Sequence, residues 1–365
     1  MKILTILGTR PEIIRLSRII PLLDETVGRE NHCLVHTGQN YDLNLYMQFF
    51  YDLGLRHPDV QLKMEGSFGE QVGQILPQIE RTLLDFNPDR VLILGDTNSS
   101  LAAIVAARAG IPVYHMEAGN RCYDPRSPEE VNRRLIDHAS SVLLPYTERS
   151  RQNLLAEGIE GRRIFVTGNP IHEVIEHYRD QWEQPDVLAR LGLEAGKFFL
   201  VTLHREENVD DAAKLREFLE AFGALAYRYG FPVIFSTHPR TRKRLKEFEH
   251  LLNCFDTRFL DPFSFFDFLA LQNQAFCTLS DSGTVQEESC ILHTPSVTLR
   301  GHTERPETVE CGASVLSGAD PERILALVKQ ATSQPTNWNP PPEYLRTNVA
   351  ETVVRILTSH HERQV

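Results

Sequence analysis

Short apolar runs recur along the chain, and nearly every one ends in a cluster of polar residues. Residues 2–7, KILTIL, read as a buried strand closed by Gly8-Thr9-Arg10-Pro11-Glu12. The apolar positions Ile13, Ile14, Leu16, Ile19, Ile20, Leu22 and Leu23 then keep helical spacing, with Pro11 in a first turn where its missing N–H costs nothing. Residues 32–36 make a second strand, ending in His36-Thr37-Gly38-Gln39-Asn40-Tyr41-Asp42. A helix is predicted over 68–86, kinked by Pro77. Residues 90–94 form a strand ending in Gly95-Asp96-Thr97-Asn98-Ser99, and a helix capped by Thr97 or Asn98 runs on to Ala109 and stops at Gly110. The run IPVYHME is a short buried strand, and PEEVNRRLIDHA is a helix starting at Pro128. A strand at 143–144, a helix over 147–157 and a strand at 165–166, ending in Thr167-Gly168-Asn169-Pro170, complete this half.

The pattern pauses over 170–197, which holds two helical patches and a charged connector, and then restarts. Strands at 198–202, 233–236, 259–260, 275–279 and 296–299 alternate with helices over 211–229, 285–292 and 320–332. The stretch SQPTNWNPPPE breaks the chain before a final helix over 343–358. This βαβα order, with polar residues gathered after strands, predicts an α/β protein built on parallel doubly wound sheets. We read two Rossmann-like domains, 1–170 and 171–342, with the 343–365 segment crossing back onto the first.

Composition narrows the class. The chain has 365 residues, too many for one ordinary core, with 41% hydrophobic and 24% charged residues. A net charge of −11 argues against nucleic acid or an anionic membrane as the partner. No apolar run approaches the roughly 20 residues of a membrane span, and the N-terminus does not read as a signal peptide. The six cysteines include no CxxC pair and read as reduced thiols of a cytoplasmic protein. No histidine pair has zinc-ligand spacing, so no metal is expected.

The candidate chemistry lies at the strand ends. Between His115 and Arg133 the acids Glu117, Asp124, Glu129 and Glu130 interleave with Arg121, Arg126 and Arg133 at a strand end, a loop and a helix start, where α/β sheets place their sites. Gly8-Thr9-Arg10 at a helix N-terminus is an anion site without the GxGxxG of a nicotinamide fold. Ser282-Gly283-Thr284 opens a second helix suited to a phosphate, with Glu287 and Glu288 one turn on as ribose acceptors. Arg10, Arg205 and Arg305 are cations for a diphosphate. The aromatic run Phe263, Phe265, Phe266 and Phe268 is either a base-stacking wall or core. Together these features describe a nucleoside-diphosphate site with no DxD motif and no Walker lysine.

The blocks GTRPE (8–12), HTGQ (36–39), GDTNS (95–99), HMEAGNR (115–121), PEEVNR (128–133), TGNP (167–170), HREEN (204–208), SDSGTVQEE (280–288) and TERPE (303–307) occur in order over nearly the whole chain. In them the sequence resembles the non-hydrolysing UDP-N-acetylglucosamine 2-epimerase family. The resemblance implies a GT-B fold, two domains facing a central cleft, a homodimer, and inversion of C2 of a UDP-linked N-acetyl sugar without a cofactor. UDP is eliminated to leave a 2-acetamidoglycal and is then added back. It implies catalytic roles for Asp96, Glu117, Glu129 and His204. It also implies a UDP and substrate site of Arg10, Arg133, Arg205, His238, Phe268, Ser282, Gly283, Thr284, Glu288 and Arg305. The chain departs from the commoner pattern at three places: Thr284 stands in the phosphate turn where a second glycine is common, Arg15 where a lysine is common, and Asn40-Tyr41-Asp42 follows HTGQ. The segment AGNRCYDPRSPEEVNR is more similar to the subgroup acting on modified sugars, the 2,3-diacetamido-glucuronate epimerases and N-acetyl-L-fucosamine synthases, where Arg126 or His302 would meet the altered C3 or C6 group. Competing readings are a GT-B glycosyltransferase, a hydrolysing epimerase and a non-catalytic UDP-sugar sensor.

Overall fold

The computed structural model describes residues 1–39, 43–125, 127–184, 186–248 and 256–360. Asn40, Tyr41, Asp42, Arg126, Cys254 and His361 lie outside them. The chain forms two compact units, Met1–His177 with Pro342–Val365, and Tyr178–Pro341.

The first unit is built on a six-stranded sheet: β1 (Ile3–Leu7), β2 (His32–His36), β3 (Val60–Gln61), β4 (Arg90–Leu94), β5 (Val113–Met116) and β6 (Val142–Leu144). The second holds β7 (Phe199–Thr202), β8 (Val233–Ser236), β9 (Thr257–Leu260), β10 (Cys277–Ser280), β11 (Ser296–Thr298) and β12 (Ser314–Leu316). The orders are β3-β2-β1-β4-β5-β6 and β12-β11-β10-β7-β8-β9, and every pairing between named strands is parallel. Renumbered within its unit, the second sheet has the same order as the first. Chain direction across each sheet reverses between its first and fourth strands, and ligands of such sheets bind beyond the strand C-termini at that switch point. Here those points lie beyond β1 and β4, and beyond β7 and β10.

The central strands are mostly apolar and almost wholly buried, as expected with helices on both faces; only Thr202, at the end of β7, is half-buried. Leu4, Ile6, Val35, Val91, Ile93 and Val113 share one core with Ile75, Ile79 and Ala103. Phe199, Val201, Phe218, Phe222, Phe235 and Leu279 form another in the second unit.

Several elements differ from the sequence reading. The helix predicted from residue 10 is two, Arg10–Leu16 and Ile19–Val27. Pro21 cannot donate to the carbonyl of Ser17, so the ladder is cut there and Pro21 falls in the first turn of the second helix. Helix Phe68–Phe86 has the predicted bounds and keeps Pro77 in its interior. Residues 165–166 form no strand of their own. The Phe165 N–H donates to Leu143 O (2.9 Å) and Thr167 N–H to Pro145 O (3.0 Å), beside an isolated bridge from Ile164 to Leu143. The unit boundary falls at His177 rather than at 170, because helix Ile171–His177 buries Ile171, Val174 and Ile175 in the first unit. Helix Val349–Ser359 packs on helix Ile19–Val27 and buries Val349, Val353, Val354 and Leu357. Among the described residues no helix is long and apolar enough to cross a membrane.

Candidate active site

At the first switch point the turn after β1 is fixed by one carboxylate. Glu12 Oε2 accepts from Gly8 N (2.7 Å), Thr9 N (2.6 Å) and Thr9 Oγ1 (2.9 Å), while its Oε1 accepts from Thr97 Oγ1 (2.8 Å) on the turn after β4. Burial raises the Glu12 pKa to about 7, although these donors oppose it. Gly8 has to be glycine: a Cβ there would lie 2.0 Å from Thr37 Oγ1 and 2.2 Å from Ser99 Oγ. Arg10, half-buried beyond this turn, stacks its guanidinium 4.7 Å from the Phe49 ring centre.

Two acids stand at neighbouring strand ends, each tied to an arginine. Asp96 follows β4 and accepts from Arg133 Nε (3.1 Å) and Nη2 (2.6 Å). Arg133 also reaches Glu130 at 3.1 Å on its own helix, Pro128–Ala139. Glu117 follows β5 in the left-handed region at φ +67°, a strained conformation for a side chain of this size. Buried Arg15 pairs with its Oε2; Tyr146 Oη donates to the same oxygen at 3.3 Å, and Asn120 Nδ2 to Oε1 at 3.3 Å. Arg15 therefore takes its place beside the acid as a cation. Glu129, half-buried in the first turn of helix Pro128–Ala139, accepts from Ser127 Oγ (2.9 Å). Helix Pro128–Ala139 is joined to the β4 turn again by Asn132 Nδ2, 3.3 Å from Asn98 Oδ1.

At the second switch point Asp281, fully buried after β10, gathers the turn after β7. It accepts from Arg205 N (2.8 Å), Asn208 Nδ2 (3.1 Å) and His204 N (3.1 Å), and its Oδ1 lies 3.0 Å from His204 Nδ1. Burial favours its neutral form, but the charge and hydrogen bonds of His204 and Arg205 more than reverse this and hold Asp281 well below the usual carboxylate range. The His204 ring is thus oriented from below; the His238 ring centre lies 5.7 Å away, and His238 Nδ1 accepts from Arg240 N (3.2 Å). Ser282 precedes helix Gly283–Ile291 in an extended conformation, and Thr284 lies in its first turn. Gly283 faces Glu304: a Cβ there would meet Glu304 Oε1 at 2.9 Å. Glu304 also receives Arg300 Nη1 (2.8 Å) and Arg205 Nη2 (3.4 Å), and Arg305 Nε donates to Glu287.

The structure thus gathers Arg10, Asp96, Glu117, Glu129 and Arg133 around the first switch point, and His204, Arg205, Ser282, Gly283, Thr284 and Arg305 around the second. Glu287 is fully buried against Arg305 rather than presented to a ribose, and Glu288 is buried on the same helix. Phe268 and Phe265 are core residues, Phe268 among Val187, Phe198 and Leu200; Phe263 and Phe266 are half-buried. Sequence reasoning missed Glu12, Asp281 and Glu304 as organisers. Only their place within the strand-end blocks signalled them. Among the described residues no cluster of three or more His, Cys, Asp or Glu side chains is arranged for a metal ion.

Comparison with known proteins gives a consistent picture. The family model for UDP-N-acetylglucosamine 2-epimerase matches residues 25–358. The UDP-N-acetylglucosamine 2-epimerase of Methanocaldococcus jannaschii is 43% identical, over 98% of this chain and 99% of the relative. The UDP-2,3-diacetamido-2,3-dideoxy-D-glucuronate 2-epimerase of Pseudomonas aeruginosa is 37% identical, over 89% and 90%. A crystal structure of the Methanocaldococcus jannaschii protein in complex with UDP-GlcNAc and UDP superposes with a TM-score of 0.93 at 42% identity, covering 99% of this chain and 100% of that one. A lipopolysaccharide glycosyltransferase, at 12% identity and a TM-score of 0.61, shares the fold alone.

Proposed function

The chain belongs to the UDP-N-acetylglucosamine 2-epimerase family, an isomerase family of GT-B-like fold, and from that premise we propose that it interconverts UDP-N-acetylglucosamine and its C2 epimer. The observation that carries the reading is the arginine-held pair Asp96 and Glu117 at adjacent strand ends. A proton bound to C2 is too weakly acidic for simple exchange. Removal by a positioned carboxylate becomes feasible when the C1–O bond breaks at the same stage and its electron pair leaves with UDP. The product is a 2-acetamidoglycal with a C1–C2 double bond. Delivery of a proton to the opposite face of C2 and attack of the UDP oxygen on C1 complete the inversion. Asp96, Glu117 and Glu129 are the acid–base groups. Asp281 fixes His204 and Arg205, and with the N-terminus of helix Gly283–Ile291 and Arg305 these stabilise the charge on departing diphosphate.

Elimination is tested by placing oxygen-18 in the bond between C1 and the β-phosphate. Scrambling of the label into the non-bridging β-phosphate oxygens is expected, and full retention during turnover would refute elimination. A second reading, a 2,3-diacetamido-glucuronate substrate, is favoured by the 37% identity to the Pseudomonas aeruginosa enzyme. Competition between the two UDP sugars, scored by kcat/KM, decides between them. We also propose the homodimer of the family, checked by light scattering in solution.

A further inference from the structure

Beneath the acids of the first unit lies a buried charged trio to which no role has yet been given. His115, on β5, is 1% exposed, Asp137 0% and Arg121 3%. The His115 ring lies between two oxygens: Nε2 is 2.9 Å from the carbonyl of Gly95 and Nδ1 is 2.9 Å from Asp137 Oδ1. A carbonyl oxygen can only accept, so Nε2 donates to it. The other carboxylate oxygen, Asp137 Oδ2, receives Arg121 Nη1 (2.8 Å) and the backbone N–H of Gly119 (3.2 Å).

The segments joined in this way are the ones that carry the acids. Gly95 immediately precedes Asp96 and adopts φ +79°. Its N–H donates to Met116 O at 3.1 Å, so with His115 on its carbonyl the residue before Asp96 is pinned from β5 on both sides. Gly119 follows Glu117 by two residues at φ +80°; a Cβ there would lie 2.2 Å from Ser150 O, and its carbonyl accepts from Asn153 Nδ2 at 2.9 Å. Asp137 itself lies on helix Pro128–Ala139, which carries Glu129 and the Arg133 that holds Asp96.

We infer that His115 and Asp137 are positioning residues for the epimerisation, a shared anchor that sets the turn bearing Asp96, the strained residue Glu117 and the helix bearing Glu129 in one fixed arrangement. Neither touches the reacting atoms. Their effect runs through Gly95 and Gly119. Burial works against the Asp137 anion, yet the hydrogen bond and charge of His115 and the charge of Arg121 outweigh it and keep Asp137 below the usual carboxylate range. An ionised Asp137 is what both His115 Nδ1 and Arg121 require. Such a support shell is expected to matter because catalytic groups lose rate steeply when displaced by about 1 Å.

The inference rests on the epimerase reading, and the test separates the two. His115→Gln and His115→Asn are compared with the wild-type protein for kcat, KM for UDP-N-acetylglucosamine, and UDP affinity by calorimetry. Glutamine places its amide N–H near the Nε2 position and retains a donor for Gly95; asparagine reaches only as far as Nδ1. Glutamine is expected to keep kcat within about threefold and asparagine to lose at least about tenfold, on the scale of a general acid–base contribution. KM and UDP affinity should move by less than about twofold in both, since the change lies in positioning of the acids rather than in binding. Asp137→Asn gives a second route and should lower kcat with the same split. Equal rates for the glutamine and asparagine variants, wild-type rates in both, or a loss of UDP affinity as large as the loss of kcat would each overturn the anchor. A wild-type protein that binds UDP but does not epimerise would overturn the underlying reading instead.

Discussion

At the scale of single residues, the site consists of carboxylates whose partners decide what they do. Asp96 and Glu117 each hold an arginine, and Glu129 a serine hydroxyl. Asp96→Asn, Glu117→Gln and Glu129→Gln should each lower kcat by at least about tenfold in a steady-state assay; near-wild-type turnover in all three would remove the acid–base assignment. Glu12 has a different consequence. Its folded-state pKa of about 7 exceeds the ordinary value of 4.5, so the folded chain binds more protons than the unfolded chain between those limits. Stability contributed through Glu12 is therefore greatest below about pH 4.5 and declines as pH rises toward 7. Asp281 is opposite in sign: its depressed pKa contributes stability above the ordinary value of 3.8 that is lost as pH falls. Denaturant midpoints measured from pH 4.5 to 7 should show a downward component in the wild-type protein that Glu12→Gln removes. The strand-end carboxylates and arginines were legible as candidates because polar residues directly after apolar runs are conspicuous. Their pairings were not. Arg15 meets Glu117 across 102 positions and His115 meets Asp137 across 22, and no local pattern encodes either contact.

At the scale of elements, the long strands and helices follow from hydrophobic spacing, and residues 90–94, 233–236 and 68–86 are found where they are predicted. The edges escaped. β3 has two residues and β12 three, too short for alternation to register. The aromatic run 263–268 could be read as core or as a stacking wall, and only packing resolves it, with Phe265 and Phe268 inside. In the proposed function helix Gly283–Ile291 is the element that takes the nucleotide, and Arg305 ties it to the following loop through Glu287. Arg305→Ala should weaken UDP binding by at least about tenfold in calorimetry, the scale of a charged hydrogen bond. It should also lower the melting temperature, because Glu287 loses its buried partner. Unchanged UDP affinity would refute the phosphate role.

At the scale of the whole molecule, the repeated βαβα spacing and the break near residue 340 made two Rossmann-like units readable. Both sheets carry the same strand order, so each has a switch point with a polar rim. The boundary was misplaced by one helix, since the apolar side of Ile171–His177 does not reveal which core it joins. Helix Val349–Ser359 completes the first unit rather than trailing from it. Arg90 Nη1 donates to the carbonyl of Leu357, and Ala350 N donates to Glu173 at 3.0 Å. Removing residues 348–365 uncovers the apolar face of Ile19–Val27 and should cost several kcal/mol, on the order of 1.5–3 kcal/mol for each large buried side chain lost. A thermal melt should show the loss, and an unchanged transition would contradict the packing.

The proposed function rests on inversion at C2 through removal of its proton. Proton NMR in D2O with UDP-N-acetylglucosamine tests it most directly. The second epimer should grow in with deuterium at C2 as the C2 proton signal disappears. Tight UDP binding with the C2 proton retained, and no second epimer, would contradict it.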